Sequence, residues 1–170
     1  TKQEDTVSKT GNNLKEAFAG ESQANRKYLA FAEQADKEGY AQAAKLFRAA
    51  AAAETVHAHA HLRAMKGVGK TIDNLKEAVA GETFEFKDMY PNMIEEAKAE
   101  GEKQAERSFT FANEVEKIHA DLYQKALDNL ENLPQTDYHV CNVCGYTCEG
   151  DAPDKCPVCG AAKKAFFKVD

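Results

Sequence analysis

Cysteine is absent from the first 140 residues, a single proline (Pro91) falls between residues 10 and 132, and no apolar run approaches the length of a membrane span. Each shortage excludes something. Without roughly 20 consecutive apolar residues there is no candidate for a membrane-crossing helix, so no membrane partner is expected. Basic residues are also scarce. The 22 Lys and Arg against 28 Asp and Glu leave a net charge of −6, the wrong sign for a nucleic-acid partner, which requires a basic stripe. The first ten residues, TKQEDTVSKT, lack the apolar core of a secretory signal, so a cytoplasmic protein is expected. A reducing compartment gives the cysteines a meaning. All five lie between Cys141 and Cys159, and in such surroundings clustered thiols bind metal more often than they form disulfides.

What is present divides the chain in two. Hydrophobic residues at 43% and charged residues at 29% suit a globular protein of 170 residues, one domain with a small appendix. Residues 10–132 are rich in Ala, Glu, Lys and Leu, a helical composition, and the polar, proline-containing stretch that follows reads as a linker. The expected domains are 1–133, an all-α four-helix bundle, and 134–170, a four-cysteine metal domain. Glycines at 39, 67, 69 and 101 punctuate the helices, predicted over 13–38, 40–66, 74–100 and 102–131 as two hairpins that repeat each other. Asn13 with Glu16, and Asn74 with Glu77, read as capping boxes. Pro91 should kink the third helix, because it lacks the N–H that would bond to Lys87.

The repeat is literal. Residues 13–22 read NLKEAFAGES and residues 74–83 read NLKEAVAGET, eight of ten letters identical. Steps of seven along each helix return to one face and give Leu14, Glu21, Tyr28; then Phe47, Glu54, His61; then Leu75, Glu82, Met89; then Phe109, Glu116, Tyr123. A glutamate sits in the middle of every apolar stripe, where an ionised carboxylate is costly unless paired or bound to metal. Two of these glutamates begin Glu-x-x-His, at Glu54–His57 and Glu116–His119, which puts carboxylate and imidazole on one face. One glutamate from each of two helices plus a Glu-x-x-His from each of the others is the ferritin-like di-metal pattern. Counted from Gly39 and Gly101, the paired glutamates of each hairpin reach about the same height. Glu85, three residues after Glu82, has Ala24 as its counterpart, so it would make the two metals inequivalent. His59 reads as solvated and His61 as structural or supporting a ligand. Tyr28 reads as packing.

The tail carries CNVCGY at 141–146 and CPVCG at 156–160. Two C-x-x-C knuckles make a tetrahedral site for iron or zinc from Cys141, Cys144, Cys156 and Cys159, with Cys148 as a bystander.

On AGES at 19–22, the two Glu-x-x-His motifs, GETFEF with MYP between 81 and 91, and the CxxCGY and CPxCG knuckles, the chain resembles the rubrerythrins. The resemblance implies two non-haem iron ions in the bundle and one iron, or zinc, in a rubredoxin-like domain. One bundle iron would be held by Glu21 and Glu54, with Glu85 or His57 alternating by oxidation state. The other would be held by Glu82, Glu116 and His119, and Glu54 and Glu116 would bridge. The implied activity is reduction of hydrogen peroxide, with electrons from a rubredoxin-type donor or an NAD(P)H-dependent reductase. Glu85 is the candidate proton carrier. A ferritin-type iron oxidase and a non-catalytic metal buffer are the alternatives; an attached one-electron relay counts against storage. In the ferritin-type arrangement helix three runs antiparallel to helix one, and residues 67–73 are then too short to join helices two and three within one bundle. A homodimer exchanging helix pairs is expected.

Overall fold

The computed structural model describes residues 8–170, so most of the polar N-terminal stretch lies outside the described residues. The chain divides after Gly69 into two compact units.

The first unit is an antiparallel hairpin of α1 (Lys9–Lys37) and α2 (Ala41–Ala64). Its interior is made of small residues. Ala32, Ala35 and Ala44 are buried, with Phe47 packed against them, and Ala51 and Ala58 continue the line. Methyl groups at these positions let the two backbones approach closely enough for Asn25 to donate across to the Ala51 carbonyl at 2.7 Å and to Thr55 Oγ1 at 2.8 Å. The larger apolar residues are outside: Phe31 is 47% exposed, Leu46 67% and Val56 63%. Tyr28, Phe31 and Phe47 form a ring cluster with centroids 5.6–6.3 Å apart.

The second unit contains α3 (Thr71–Phe84), a π-helical turn (Glu85–Met89), α4 (Tyr90–Glu100), α5 (Lys103–Asp128) and a small sheet. Val115, Ala97 and Ala120 are its buried helical residues, and Tyr90 lies against Phe109 with ring centroids 6.2 Å apart. The sheet has order β2-β1-β3 and is antiparallel, from β1 (Tyr138–Cys141), β2 (Thr147–Glu149) and β3 (Phe166–Val169). Among the described residues no helix is long and apolar enough to cross a membrane.

Several local expectations are corrected. Asn13 and Asn74 are not caps. Helix α1 starts four residues earlier, where the Ser8 side chain accepts from Gly11 N–H at 3.1 Å, and α3 starts at Thr71 after an extended Lys70. Gly39 and Gly101 do close their helices, at φ 84° and 76°, but α2 closes on Lys66 at φ 59°, with Gly67 and Gly69 outside the left-handed region. The geometry is the same in all three: Tyr40, Gly67 and Glu102 N–H reach back to Ala35, Leu62 and Ala97 carbonyls. The third helix is not a simple kinked rod. Upstream of Pro91 the chain widens into the π turn, in which Tyr90 N–H bonds to the Glu85 carbonyl five residues back. The fourth helix ends at Asp128, followed by a 3-10 turn over Leu130–Asn132.

Candidate metal centres

Two clusters of the same composition arise from the repeat. In the first unit, Glu21 on α1 meets Glu54 and His57 on α2, their ligand atoms all within 4.8 Å of one another. His57 Nδ1 stands 2.8 Å from Glu54 Oε2 and 3.8 Å from Glu21 Oε1. In the second unit, Glu82 on α3 meets Glu116 and His119 on α5. His119 Nδ1 stands 2.8 Å from Glu116 Oε2 and 3.8 Å from Glu82 Oε1. The four heptad glutamates and the two Glu-x-x-His histidines are therefore brought together in two sets of three, and Glu85 stands outside both sets. Burial is less than the apolar stripes suggested: these glutamates are half-buried, and among the described residues no charged side chain is fully buried.

The second cluster is the more crowded with charge. Burial, the Glu116 charge, a hydrogen bond with Glu116 and the Glu85 charge push Glu82 up to about 7 from an ordinary 4.5. Glu85 opens the π turn on the same helical rod. Burial and the Glu116 charge raise it, and His119 opposes them. Tyr90, at the end of that turn, is raised by burial and by Glu85, Glu116 and Glu82, so its phenol holds its proton firmly. Carboxylates that cling to protons beside one another are the expected state of a set of ligands without its cation.

His119 has one further partner. Its Nε2 lies 2.9 Å from Thr147 Oγ1, and Thr147 Oγ1 donates to the Gly145 carbonyl at 3.1 Å. Strand β2 thus touches α5 at the histidine, and Lys125 pairs with Glu149 farther along the same helix. A cavity of about 360 Å³ bounded by Leu75, Leu122, Tyr123 and Tyr138 has His119 and Thr147 on its wall.

The four thiols converge as the knuckles implied. Cys141 Sγ lies 3.7 Å from Cys159 Sγ, and Cys144 Sγ 3.6 Å from Cys156 Sγ. A tetrahedral ion with metal–sulfur bonds of about 2.3 Å needs sulfurs about 3.8 Å apart, so the set fits such an ion. Gly145 and Gly160, at φ 83° and 78°, turn the chain after each second cysteine. Burial works against the Cys156 thiolate, but N–H groups of Cys159 and Val158 and the neighbouring thiols bring it down to about 7. Cys144 is pushed up by burial, against the pull of the Tyr146 N–H. Cys148 stays outside the set, with its sulfur 3.7 Å from the His139 carbonyl.

His59 is exposed and His61 half-buried. Tyr90 and Thr147 were missed as contributors to the sites. Tyr90 stands in the MYP triplet, but only the π turn brings it among the carboxylates. Thr147 belongs to no spacing motif, and its contact with His119 spans 28 residues.

The rubrerythrin family model matches residues 12–127, and the model for the rubrerythrin rubredoxin-like domain matches residues 139–167. Rubrerythrin-2 of Clostridium acetobutylicum is 37% identical over 174 residues, covering 92% of this chain and 95% of that protein. Nigerythrin of Nitratidesulfovibrio vulgaris is 38% identical, covering 94% and 86%. Among solved structures, mixed-valent nigerythrin aligns over 99% of this chain and 90% of its own, at 34% identity and a TM-score of 0.56. Fully reduced, all-ferrous nigerythrin aligns over 99% and 91%, at 35% identity and the same TM-score.

Proposed function

The chain belongs to the rubrerythrin family, with its diiron site and rubredoxin-like four-cysteine site, and from that premise we propose that it is a peroxidase reducing hydrogen peroxide to water. The observation that carries this reading is the presence on one chain of two Glu/Glu/His clusters and a four-thiolate cluster. When bound, a ferrous pair supplies together the two electrons of H2O2 + 2 H⁺ + 2 e⁻ → 2 H2O. The residues do the rest. By the family resemblance, Glu21 and Glu54 would hold one iron, with His57 or Glu85 as the exchanging ligand, Glu82, Glu116 and His119 would hold the other, and Glu54 and Glu116 would be shared between them. Glu85, whose hold on a proton is strengthened by burial and by the Glu116 charge, would deliver a proton to the leaving oxygen. Tyr90 keeps a neutral hydrogen-bond donor among the carboxylates.

Residues 134–170 act as the electron inlet, charged by a rubredoxin-type protein or an NAD(P)H-dependent reductase. A four-thiolate iron carries one electron at a time, which suits it to recharging a two-electron site. Replacing Cys144 with Ser tests this. The bundle should stay folded and oxidise once with peroxide, while steady-state turnover falls to background. Normal turnover of that variant with the same donor would remove the relay.

The protein is further proposed to work as a homodimer exchanging helix pairs. Helix α2 ends at Ala64 and α3 begins at Thr71, so the connection has seven Cα–Cα steps and reaches about 23–25 Å. Ala64 lies ten residues past Glu54 and Thr71 eleven before Glu82, together about 32 Å of helix to climb in a ferritin-type arrangement. The exposed Phe31, Leu46 and Val56 of the first unit supply apolar surface for a second copy to cover.

A further inference from the structure

We propose that Thr147 is the positioning residue that fixes His119 with its Nδ1 lone pair toward the metal, an inference that rests on the diiron reading above. The hydroxyl of threonine has one proton to give. Thr147 gives it to the Gly145 carbonyl at 3.1 Å, so toward His119 Nε2, 2.9 Å away, it can only accept. The ring's Nε2–H then belongs to this contact, which leaves Nδ1 as the nitrogen a metal would take, 2.8 Å from Glu116 Oε2 and 3.8 Å from Glu82 Oε1. A metal among these atoms would replace the proton shared between Nδ1 and Glu116, and with Nε2–H engaged by the hydroxyl the ring is already turned to receive it. Outer partners of this kind fix the tautomer and orientation of a ligating histidine and strengthen it as a donor.

His57 is the internal control. It has the same Nδ1 distances to its two glutamates, but among the described residues its Nε2 has no hydrogen-bond partner, and its side chain is 55% exposed against 27% for His119. The acceptor for His119 comes from the cysteine module: Thr147 stands three residues after Cys144, and the knuckle turn at Gly145 lies against Val115 of α5.

The test uses the full chain loaded with zinc at all sites, which reads the histidine without peroxide and so separates this proposal from the peroxidase reading. In ¹⁵N spectra of the wild type, His119 should show a metal-bound Nδ1 and a slowly exchanging Nε2–H. Thr147→Val should expose that N–H to the adjoining cavity, speed its exchange, and hasten loss of the Nδ1 signal under chelator about tenfold. Thr147→Ser should restore both. Lys125→Met, which breaks the pair with Glu149 but keeps the hydroxyl, should lose zinc from His119 at the wild-type rate. Unchanged zinc loss in Thr147→Val, or equal acceleration in Lys125→Met, overturns the proposal. If the valine variant does not fold, Thr147→Ala replaces it with the same expected results.

Discussion

In both clusters the histidine Nδ1 stands 2.8 Å from one glutamate and 3.8 Å from another. The first of these histidines is more than half exposed with its outer nitrogen unpartnered among the described residues; the second is tied to Thr147. The carboxylates differ as well. Position 24 of the first helix is alanine, while its counterpart in the second unit is Glu85, the first residue of the π turn. A duplicated sequence thus sets its two histidines differently, one with its outer nitrogen exposed and one tied to Thr147. An exchanging ligand requires a side chain with somewhere to go, and a permanent ligand requires the reverse. Insertions of a single residue that widen one turn of a helix are frequent at functional sites for this reason: they re-aim a side chain without disturbing the flanking helix.

The largest expected effect addresses whether the two clusters serve one active site drawn from two chains. A Glu21→Ala chain and a Glu116→Ala chain should each be inactive alone. Mixed with verified subunit exchange, half of the dimers would be heterodimers, and in an exchanged dimer one of the two sites receives both defects and the other neither. Activity should return to about a quarter of wild type. No recovery would mean that each chain builds its own site.

Next in size is the difference between the histidines. Replacing His119 with Ala should empty one metal position, measured as loss of about one iron per chain. Replacing His57 with Ala should leave both irons bound in the oxidised protein, because on the proposed exchange Glu85 would serve in its place. Equal iron loss in the two variants would erase the distinction between a held and a free ligand.

The clusters of candidate ligands were legible in the sequence because coordination demands both period and chemistry. Seven-residue steps recovered Glu21, Glu54, Glu82 and Glu116, and the Glu-x-x-His and C-x-x-C spacings recovered the histidines and thiols. Helix ends were less legible. Asn13 and Asn74 look like caps in isolation, but each lies inside a helix that begins earlier, at Lys9 under a Ser8 cap for α1 and at Thr71 for α3. Pro91 announces a break without saying how it will be met; bending and widening are both answers to one missing N–H. Thr147 was out of reach altogether. A hydroxyl acquires its meaning from the group it faces, and that group lies on another element.

The smallest expected effect concerns Glu82. Its ordinary 4.5 is raised to about 7 in the fold, chiefly by burial and by the charge of Glu116. The folded, metal-free chain therefore binds this proton more tightly than the unfolded chain does. Its stability is helped at acid pH and falls as pH rises from about 4.5 to about 7, the opposite of a salt-bridged carboxylate. A metal takes the proton's place, so zinc uptake should displace it below pH 7 and find it already gone above pH 8. Wild type should release about one proton more per chain than Glu82→Gln at pH 6, and the same number at pH 8.5. Measured with a pH indicator during zinc titration, equal release by the two proteins at pH 6 would show that Glu82 carries no such proton. The more crowded of the two clusters would then have lost its electrostatic distinction and kept only its hydrogen bond to Thr147.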